Sequence, residues 1–149
     1  MKIIKFLIFL LPWFIGSLLS SNTSFYKELN LPFFAPPGIV FGIVWAVIYF
    51  LLAISIYKIY SENNFKDIKE YNNSLIFNYI ANQLFPISFF LLKSPFLGFV
   101  TTLLVLITSI SLYSETKKLN NKVSKLLIVY LIWDVFATIL SLTIYFMNF

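Results

Sequence analysis

Apolar residues in this chain fall into long blocks separated by short polar segments, and no sustained alternation of apolar and polar positions is present. A helix that crosses a bilayer needs roughly 20 mostly apolar residues, and five blocks meet that length. They cover about residues 3–20, 39–58, 74–92, 95–113 and 126–147. The pattern therefore predicts an all-α fold: a single domain over residues 1–149, built as an integral membrane bundle of five transmembrane helices.

The segments between the blocks predict four connections of unequal length. They are a long first loop (21–38), a charged second loop (59–73), a tight turn at Lys93-Ser94 and a basic fourth loop (114–125). Ser94-Pro95 has the form of a helix N-cap followed by proline at the first helical position, so we expect the fourth span to start there.

Two prolines and the N-terminal segment affect the interpretation of individual spans. Pro12 and Pro86 fall inside the first and third spans, where the missing N–H is expected to kink the helix. The first block also has an alternative interpretation, because Lys2 and Lys5 before an apolar run resemble a secretory signal peptide. Cleavage there would leave four helices.

Composition supports membrane insertion and excludes several classes of function. The chain is 60% hydrophobic and 11% charged, whereas soluble domains carry about 25% charged residues. It contains no Cys and no His, so disulfides, the usual zinc sites and His- or Cys-based nucleophilic catalysis are excluded. We expect no metal and no cofactor. Nucleic-acid binding is not expected either, because the sequence has no stripe of basic residues interleaved with exposed aromatic residues.

The lysines predict the orientation of the chain. If all five blocks span, nine of the eleven Lys lie with the N-terminus and the second and fourth loops, and two lie on the other side. Positively charged residues favour the cytoplasmic side. We therefore expect a cytoplasmic N-terminus, with loop 1 and the C-terminus external.

Three gapped motifs occur in order along the chain. Residues 25–49 read FYKELNLPFFAPPGIVFGIVWAVIY, the third span carries Asn82-x-x-Phe85-Pro86-x-x-Phe89-Phe90, and the fifth carries Tyr130-Leu131-x-Trp133-x-x-Phe136-Ala137. Together they resemble the TspO family, the tryptophan-rich sensory proteins related to the mitochondrial translocator protein. In the first motif the matching positions are Tyr26, Leu29, Pro32, Pro36, Pro37, Phe41, Trp45 and Tyr49.

The chain departs from the family pattern at several positions. Phe25, Phe34 and Phe85 stand where the family often has Trp, Val129 replaces a Pro, and Ser141 replaces an Asn. No Lys or Arg follows Tyr145, so the sterol-type pattern of the mitochondrial relatives is absent. Sterol binding is therefore not supported.

The first motif allows two interpretations of loop 1. Proline fixes φ and stiffens the segment that carries Phe25, Tyr26 and Phe34. A stiff aromatic segment over the helix ends could form a lid on a pocket, but aromatic residues at a membrane interface are also routine. The resemblance favours the lid.

Polar and aromatic residues inside the spans are the other site candidates, and each also has a packing interpretation. Phe41, Trp45 and Tyr49 share one helix face, as do Asn78, Asn82, Phe85 and Phe89 on the third span. Asn in hydrocarbon is expensive and should point into the bundle, toward a neighbouring helix or a ligand. Asp134 is the only acidic residue within the five predicted spans, which makes it a functional candidate by default. A purely structural, hydrogen-bonded carboxyl is the alternative.

The resemblance implies a membrane sensor that binds porphyrin, related tetrapyrroles or similar flat hydrophobic molecules between the helices, under loop 1. The implied ligand-binding residues are Phe25, Tyr26, Pro32, Phe34, Pro36, Pro37, Phe41, Trp45, Tyr49, Asn82, Phe85, Phe89, Trp133, Asp134, Phe136 and Ala137. Light-dependent porphyrin degradation using Trp45 and Trp133 is an alternative, and a proton-linked transporter using Asp134 is a third. Homodimers are common in the family, so the resemblance also admits a homodimer.

Overall fold

A computed structural model of the chain describes residues 2–20 and 24–149; Ser21, Asn22 and Thr23 of the predicted first loop lie outside the described residues. Within these ranges the chain is helical with no strand. Five helices are long and apolar enough to cross a membrane: α1 (Lys2–Leu19), α3 (Gly38–Glu62), α4 (Lys69–Leu91), α5 (Pro95–Leu119) and α6 (Asn121–Met147). A short helix, α2 (Ser24–Glu28), lies in loop 1. The predicted all-α, five-span membrane fold is confirmed.

The helices extend beyond the predicted spans mainly at one end of the bundle. Helix α3 continues to Glu62, α4 begins at Lys69 and α5 continues to Leu119. The predicted second loop (59–73) is therefore too long. It reduces to a few residues around a 3-10 turn at Phe65–Asp67. Hydropathy marks only the hydrocarbon-embedded part of a helix, whereas the backbone stays helical in the polar interface.

The predicted fourth loop (114–125) is wrong, because the chain turns there at a single residue. Asn120 is extended between α5 and α6, and its side-chain oxygen accepts from the N–H groups of Lys122 (3.0 Å) and Val123 (3.1 Å). An Asn N-cap of this kind satisfies the free amides of the new helix. The lysines of this region lie on helical turns and not in a loop.

Serine marks one helix start as the sequence predicts, and proline stands at two changes of helix type; the expected kinks stay predictions. The Ser94 side chain accepts from the Leu97 N–H at 3.2 Å, with Pro95 as the first residue of α5. Pro12 lies in a 3-10 stretch of α1, and α4 changes from an α-helix to a π-helix directly after Pro86. Each change of helix type occurs where proline removes a backbone donor.

The core forms where α4 packs on α5 and α5 packs on α6, with α1 packed against α3. Gly98 of α5 allows a close approach, because a Cβ there would lie 2.6 Å from the Phe89 ring of α4. Apolar side chains on the outer faces, such as Ile3, Ile132 and Phe146, are more than 60% exposed. Lipid tails are the natural environment for that surface.

Loop 1 is attached to the end of α6. The Asn30 N–H donates to the Asn148 side chain at 2.9 Å, and the Asn148 amide donates to the Asn30 carbonyl at 2.9 Å. The Tyr26 hydroxyl donates to the Pro36 carbonyl at 3.1 Å, and burial raises the pKa of this phenol. Loop 1 and the C-terminus therefore lie at the same end of the bundle, as the five-span topology requires.

Candidate functional site

A cavity of about 410 Å³ lies between the helices at the loop 1 end of the bundle. This volume is within the range of about 300–1,000 Å³ that small-molecule sites occupy. Its walls come from the second half of α1, the first half of α3, the second half of α4 and the second half of α6, with two residues of α5. Tyr26 of α2 lines the cavity from the loop 1 side.

Nine of the sixteen predicted site residues line this cavity. They are Tyr26, Phe41, Trp45, Tyr49, Asn82, Phe85, Phe89, Asp134 and Ala137. Their spacing along α3 and α4 places one residue per turn on the cavity wall, which is the helical face that the sequence predicts. Whether they contact a ligand stays a prediction.

The other seven predicted residues lie outside the cavity lining, and most support it from behind. Phe25 packs edge-on against Phe89 with ring centroids 5.4 Å apart, and Phe34 packs against Phe136 at 6.4 Å. The remaining four are Pro32, Pro36, Pro37 and Trp133. The three prolines shape loop 1: the Pro32 carbonyl accepts from Ala35, the Pro36 carbonyl from Tyr26, and Pro37 precedes α3.

Trp133 and Trp45 occupy different layers of the site. Trp45 lines the cavity and packs against Tyr49, with ring centroids 5.5 Å apart. Trp133 instead contacts the ring of Phe41 edge-on at 5.7 Å and that of Phe136 at 5.2 Å. Its buried indole N–H has no hydrogen-bond partner among the described residues. Trp133 would therefore act on a cavity ligand through Phe41.

A chain of side-chain hydrogen bonds forms the polar floor of the cavity. Tyr49 donates to the Asn82 oxygen (3.2 Å), Asn82 donates to the Tyr130 hydroxyl (2.6 Å), and Tyr130 donates to the Asn78 oxygen (3.1 Å). Asn78 in turn donates to Thr108 at 3.1 Å. These hydrogen bonds join α3, α4, α5 and α6. Both asparagines therefore point into the bundle and bond to neighbouring helices, as the packing interpretation predicts. This network fixes the Asn82 and Tyr49 side chains at the cavity wall.

Asp134 contrasts with this network, because the geometry of the described residues gives its carboxyl no hydrogen bond. The residue is 2% exposed, and neither carboxyl oxygen has a hydrogen-bond partner within residues 2–20 and 24–149. The neighbouring Thr138 hydroxyl donates to the Asp134 backbone carbonyl at 2.7 Å and not to its side chain. The Ser109 hydroxyl of α5 lies beside this carboxyl, so the structural role of Asp134, as a protonated hydrogen-bond donor, and its functional role both stay predictions.

Several cavity residues carry no motif signal and were missed by the sequence analysis. The α1 contribution consists of Phe14, Gly16, Ser17 and Ser20, and α3 adds Gly38, Gly42 and Ala46. The small residues of α3 recur every four positions, which is the one pattern that could have identified them. The others without a motif signal are Thr102, Val105, Leu140 and Ile144. Pro86 and Phe90 of the second motif and Ser141, which replaces a family Asn, also line the cavity but were not among the predicted ligand-binding residues.

The fold and the site together define a class: a five-helix membrane protein with an aromatic-walled cavity at one end of its bundle. Comparison with known proteins makes this assignment specific. A sequence profile of the TspO/MBR family matches residues 5–147, and the chain belongs to that family.

Relatives from bacteria and archaea cover nearly the whole chain. The tryptophan-rich protein TspO of Bacillus cereus is 38% identical over 146 residues, which is 98% of this chain and 95% of the relative. The tryptophan-rich protein TspO of Archaeoglobus fulgidus is 32% identical over 141 residues, 91% of this chain and 88% of the relative. An uncharacterized membrane protein of Bacillus subtilis, YtaB, is 36% identical over 133 residues, 89% of this chain and 86% of the relative.

Proposed function

We propose that this protein is a membrane receptor that binds porphyrins or similar flat hydrophobic molecules in the cavity between its helices. The observation that carries the proposal is the combination of volume and wall chemistry: about 410 Å³ of space bounded by aromatic rings and a few polar groups. Large planar π systems pack favourably on aromatic walls. The family resemblance supplies the ligand class.

The wall offers rings in more than one orientation, which suits a flat ligand. Phe85 and Phe89 are stacked on one side of the cavity, with ring centroids 5.5 Å apart and an interplanar angle of 11°. Across the cavity, Trp45 and Tyr49 present a second aromatic pair from α3. A planar molecule in the cavity would therefore pack against aromatic side chains of both helices.

Loop 1 is proposed as the cover over the outer end of this site. Tyr26 lines the cavity, and its hydrogen bond to Pro36 holds the short α2 helix against the start of α3. The paired hydrogen bonds between Asn30 and Asn148 hold the other part of the loop against α6. A preorganised cover lowers the ordering cost of ligand binding.

The test is a titration of the purified protein with protoporphyrin IX, followed by quenching of tryptophan fluorescence. Because Trp45 lines the cavity and Trp133 lies behind Phe41, we expect Trp45→Phe to weaken binding more than Trp133→Phe. Loss of one stacking contact is worth on the order of 0.5–1.5 kcal/mol, or up to about tenfold in Kd. Equal Kd values for the parent and both variants would argue that porphyrin does not bind against this wall.

A further inference from the structure

The Asp134 carboxyl is a buried acid on the cavity wall without a protein partner. It is 2% exposed, and both oxygens lack a hydrogen bond to any described residue. An unpaired polar group in an apolar setting is costly, and an intramembrane carboxyl more so. Such a cost is recovered if a ligand brings the missing partner.

Asn82 and Thr102 line the cavity with Asp134, Ser109 lies beside its carboxyl, and all three side chains have other hydrogen-bond partners. The Asn82 side chain accepts from Tyr49 and donates to Tyr130, and the Thr102 hydroxyl donates to the Phe99 carbonyl at 2.9 Å. The Ser109 hydroxyl donates to the Leu106 carbonyl at 2.9 Å. The two hydroxyl groups already donate their single hydrogen to backbone carbonyls, so neither supplies a further donor to the carboxyl.

No cation of the described chain pairs with Asp134 either. Within residues 2–20 and 24–149 the recorded ion pair is Lys118–Glu115, near the end of α5 remote from loop 1. No cationic partner for the carboxyl is therefore recorded within these residues, and a cation or N–H group of a cavity ligand would fill that role.

We propose that Asp134 selects cavity ligands that carry a cationic or hydrogen-bond-donating nitrogen, so that the preferred ligand class is a flat aromatic amine. This inference rests on the proposed function, because it requires the cavity to be the ligand site. An N–H group can donate to a carboxyl oxygen, and an amine basic enough to take up the proton of the carboxyl gains a charge-assisted bond, which is among the stronger polar contacts. The Trp45 and Phe41 rings of the same wall also favour a cation over their faces.

The experiment compares two probes of similar shape: 9-aminoacridine, which is a flat aromatic cation, and anthracene, which has the same three-ring outline without nitrogen. Both fluoresce, and their Kd values are measured on the purified full-length protein in detergent. The quantity compared is the ratio of the two Kd values in each variant, because partition of each probe into the micelle then cancels between variants.

We expect Asp134→Asn to weaken 9-aminoacridine binding at least tenfold and to change anthracene binding less than twofold. The matched control is Asp67→Asn, which removes the same charge from an exposed position and should leave both Kd values unchanged. If Asp134→Asn does not fold, Asp134→Leu, which has a similar volume and no polar atom, replaces it with the same expected change in the ratio of the two Kd values. Ala137→Phe, which fills the cavity, is measured beside these variants with both probes.

The outcomes separate this inference from the proposed function. If Ala137→Phe abolishes binding of both probes but Asp134→Asn leaves their ratio unchanged, the cavity is the ligand site and the selective role of Asp134 is refuted. If Ala137→Phe affects neither probe, the cavity is not their site and the proposed function itself fails.

Discussion

The hydrogen-bond network beneath the cavity gives the sharpest prediction about stability. Tyr130 is 2% exposed and stands at its centre, accepting from Asn82 at 2.6 Å and donating to Asn78 at 3.1 Å. Tyr130→Phe removes a single oxygen atom and leaves the ring in place. The Asn82 amide then loses its acceptor and the Asn78 oxygen loses a donor, while both side chains stay buried.

The size of the effect follows from these two lost bonds. Leaving a buried polar group unsatisfied costs about 1–3 kcal/mol, whereas hydrogen bonds between membrane helices average about 0.6 kcal/mol because the membrane-embedded unfolded state finds other partners. We therefore expect a loss of about 2 kcal/mol in the free energy of unfolding. For a chain of this length that corresponds to a fall of about 4–8 °C in Tm.

The assay is thermal unfolding of detergent-solubilised protein, with Tyr145→Phe as the control. Tyr145 is on the same helix, and its ring packs on Phe96 at 5.4 Å. Its hydroxyl has no recorded hydrogen bond within the described residues, so its removal should shift Tm by less than about 1 °C. If the Tyr130→Phe and Tyr145→Phe variants have the same Tm, the structural role assigned to the network is refuted.

Three further predictions concern loop 1 and the topology. Asn148→Ala removes two of the three hydrogen bonds that join Asn30 to the end of α6, so we expect faster dissociation of bound protoporphyrin in stopped-flow experiments, and an unchanged rate would show that these bonds do not control exit. Pro36→Ala combined with Pro37→Ala should raise the Kd for protoporphyrin with little change in Tm, because the cover loses preorganisation; equal affinity would remove loop 1 from the site. Because the chain has no Cys, Phe33→Cys should react with an impermeant thiol reagent on intact cells while Asn121→Cys should not, and the reverse pattern would overturn the predicted orientation.

The sequence is sufficient for features that depend on local physics. Membrane spans can be recognised because a run of about 20 apolar residues rarely occurs outside a transmembrane helix. The Ser94 N-cap can be recognised because it depends only on neighbouring residues. Helix ends in the polar interface could not be placed, since hydropathy does not distinguish a solvated helix from a loop. For that reason the fourth loop was predicted over twelve residues where Asn120 alone turns the chain.

The candidate site could be predicted only in part, because cavities are made by tertiary packing. Spacing placed Trp45 and Tyr49 on one face correctly, but it could not show that Phe41 stands beside Trp133. The contribution of α1 consists largely of Gly and Ser, which carry no chemical signature until α3 and α4 pack against them. Likewise the sequence marked Asp134 as unusual, but its lack of a partner depends on where the side chains of three other helices lie.

The most direct test of ligand binding in the cavity is to fill the cavity and measure protoporphyrin IX affinity. Ala137→Phe places a ring inside the cavity, whereas Val135→Phe places the same ring two residues away on the exposed face of the same helix, where Val135 is 47% exposed. We predict that Ala137→Phe raises the Kd at least tenfold, which corresponds to about 1.4 kcal/mol, and that Val135→Phe binds like the parent. Parent-like affinity in Ala137→Phe, with the protein folded, would contradict the proposal that this cavity binds the ligand.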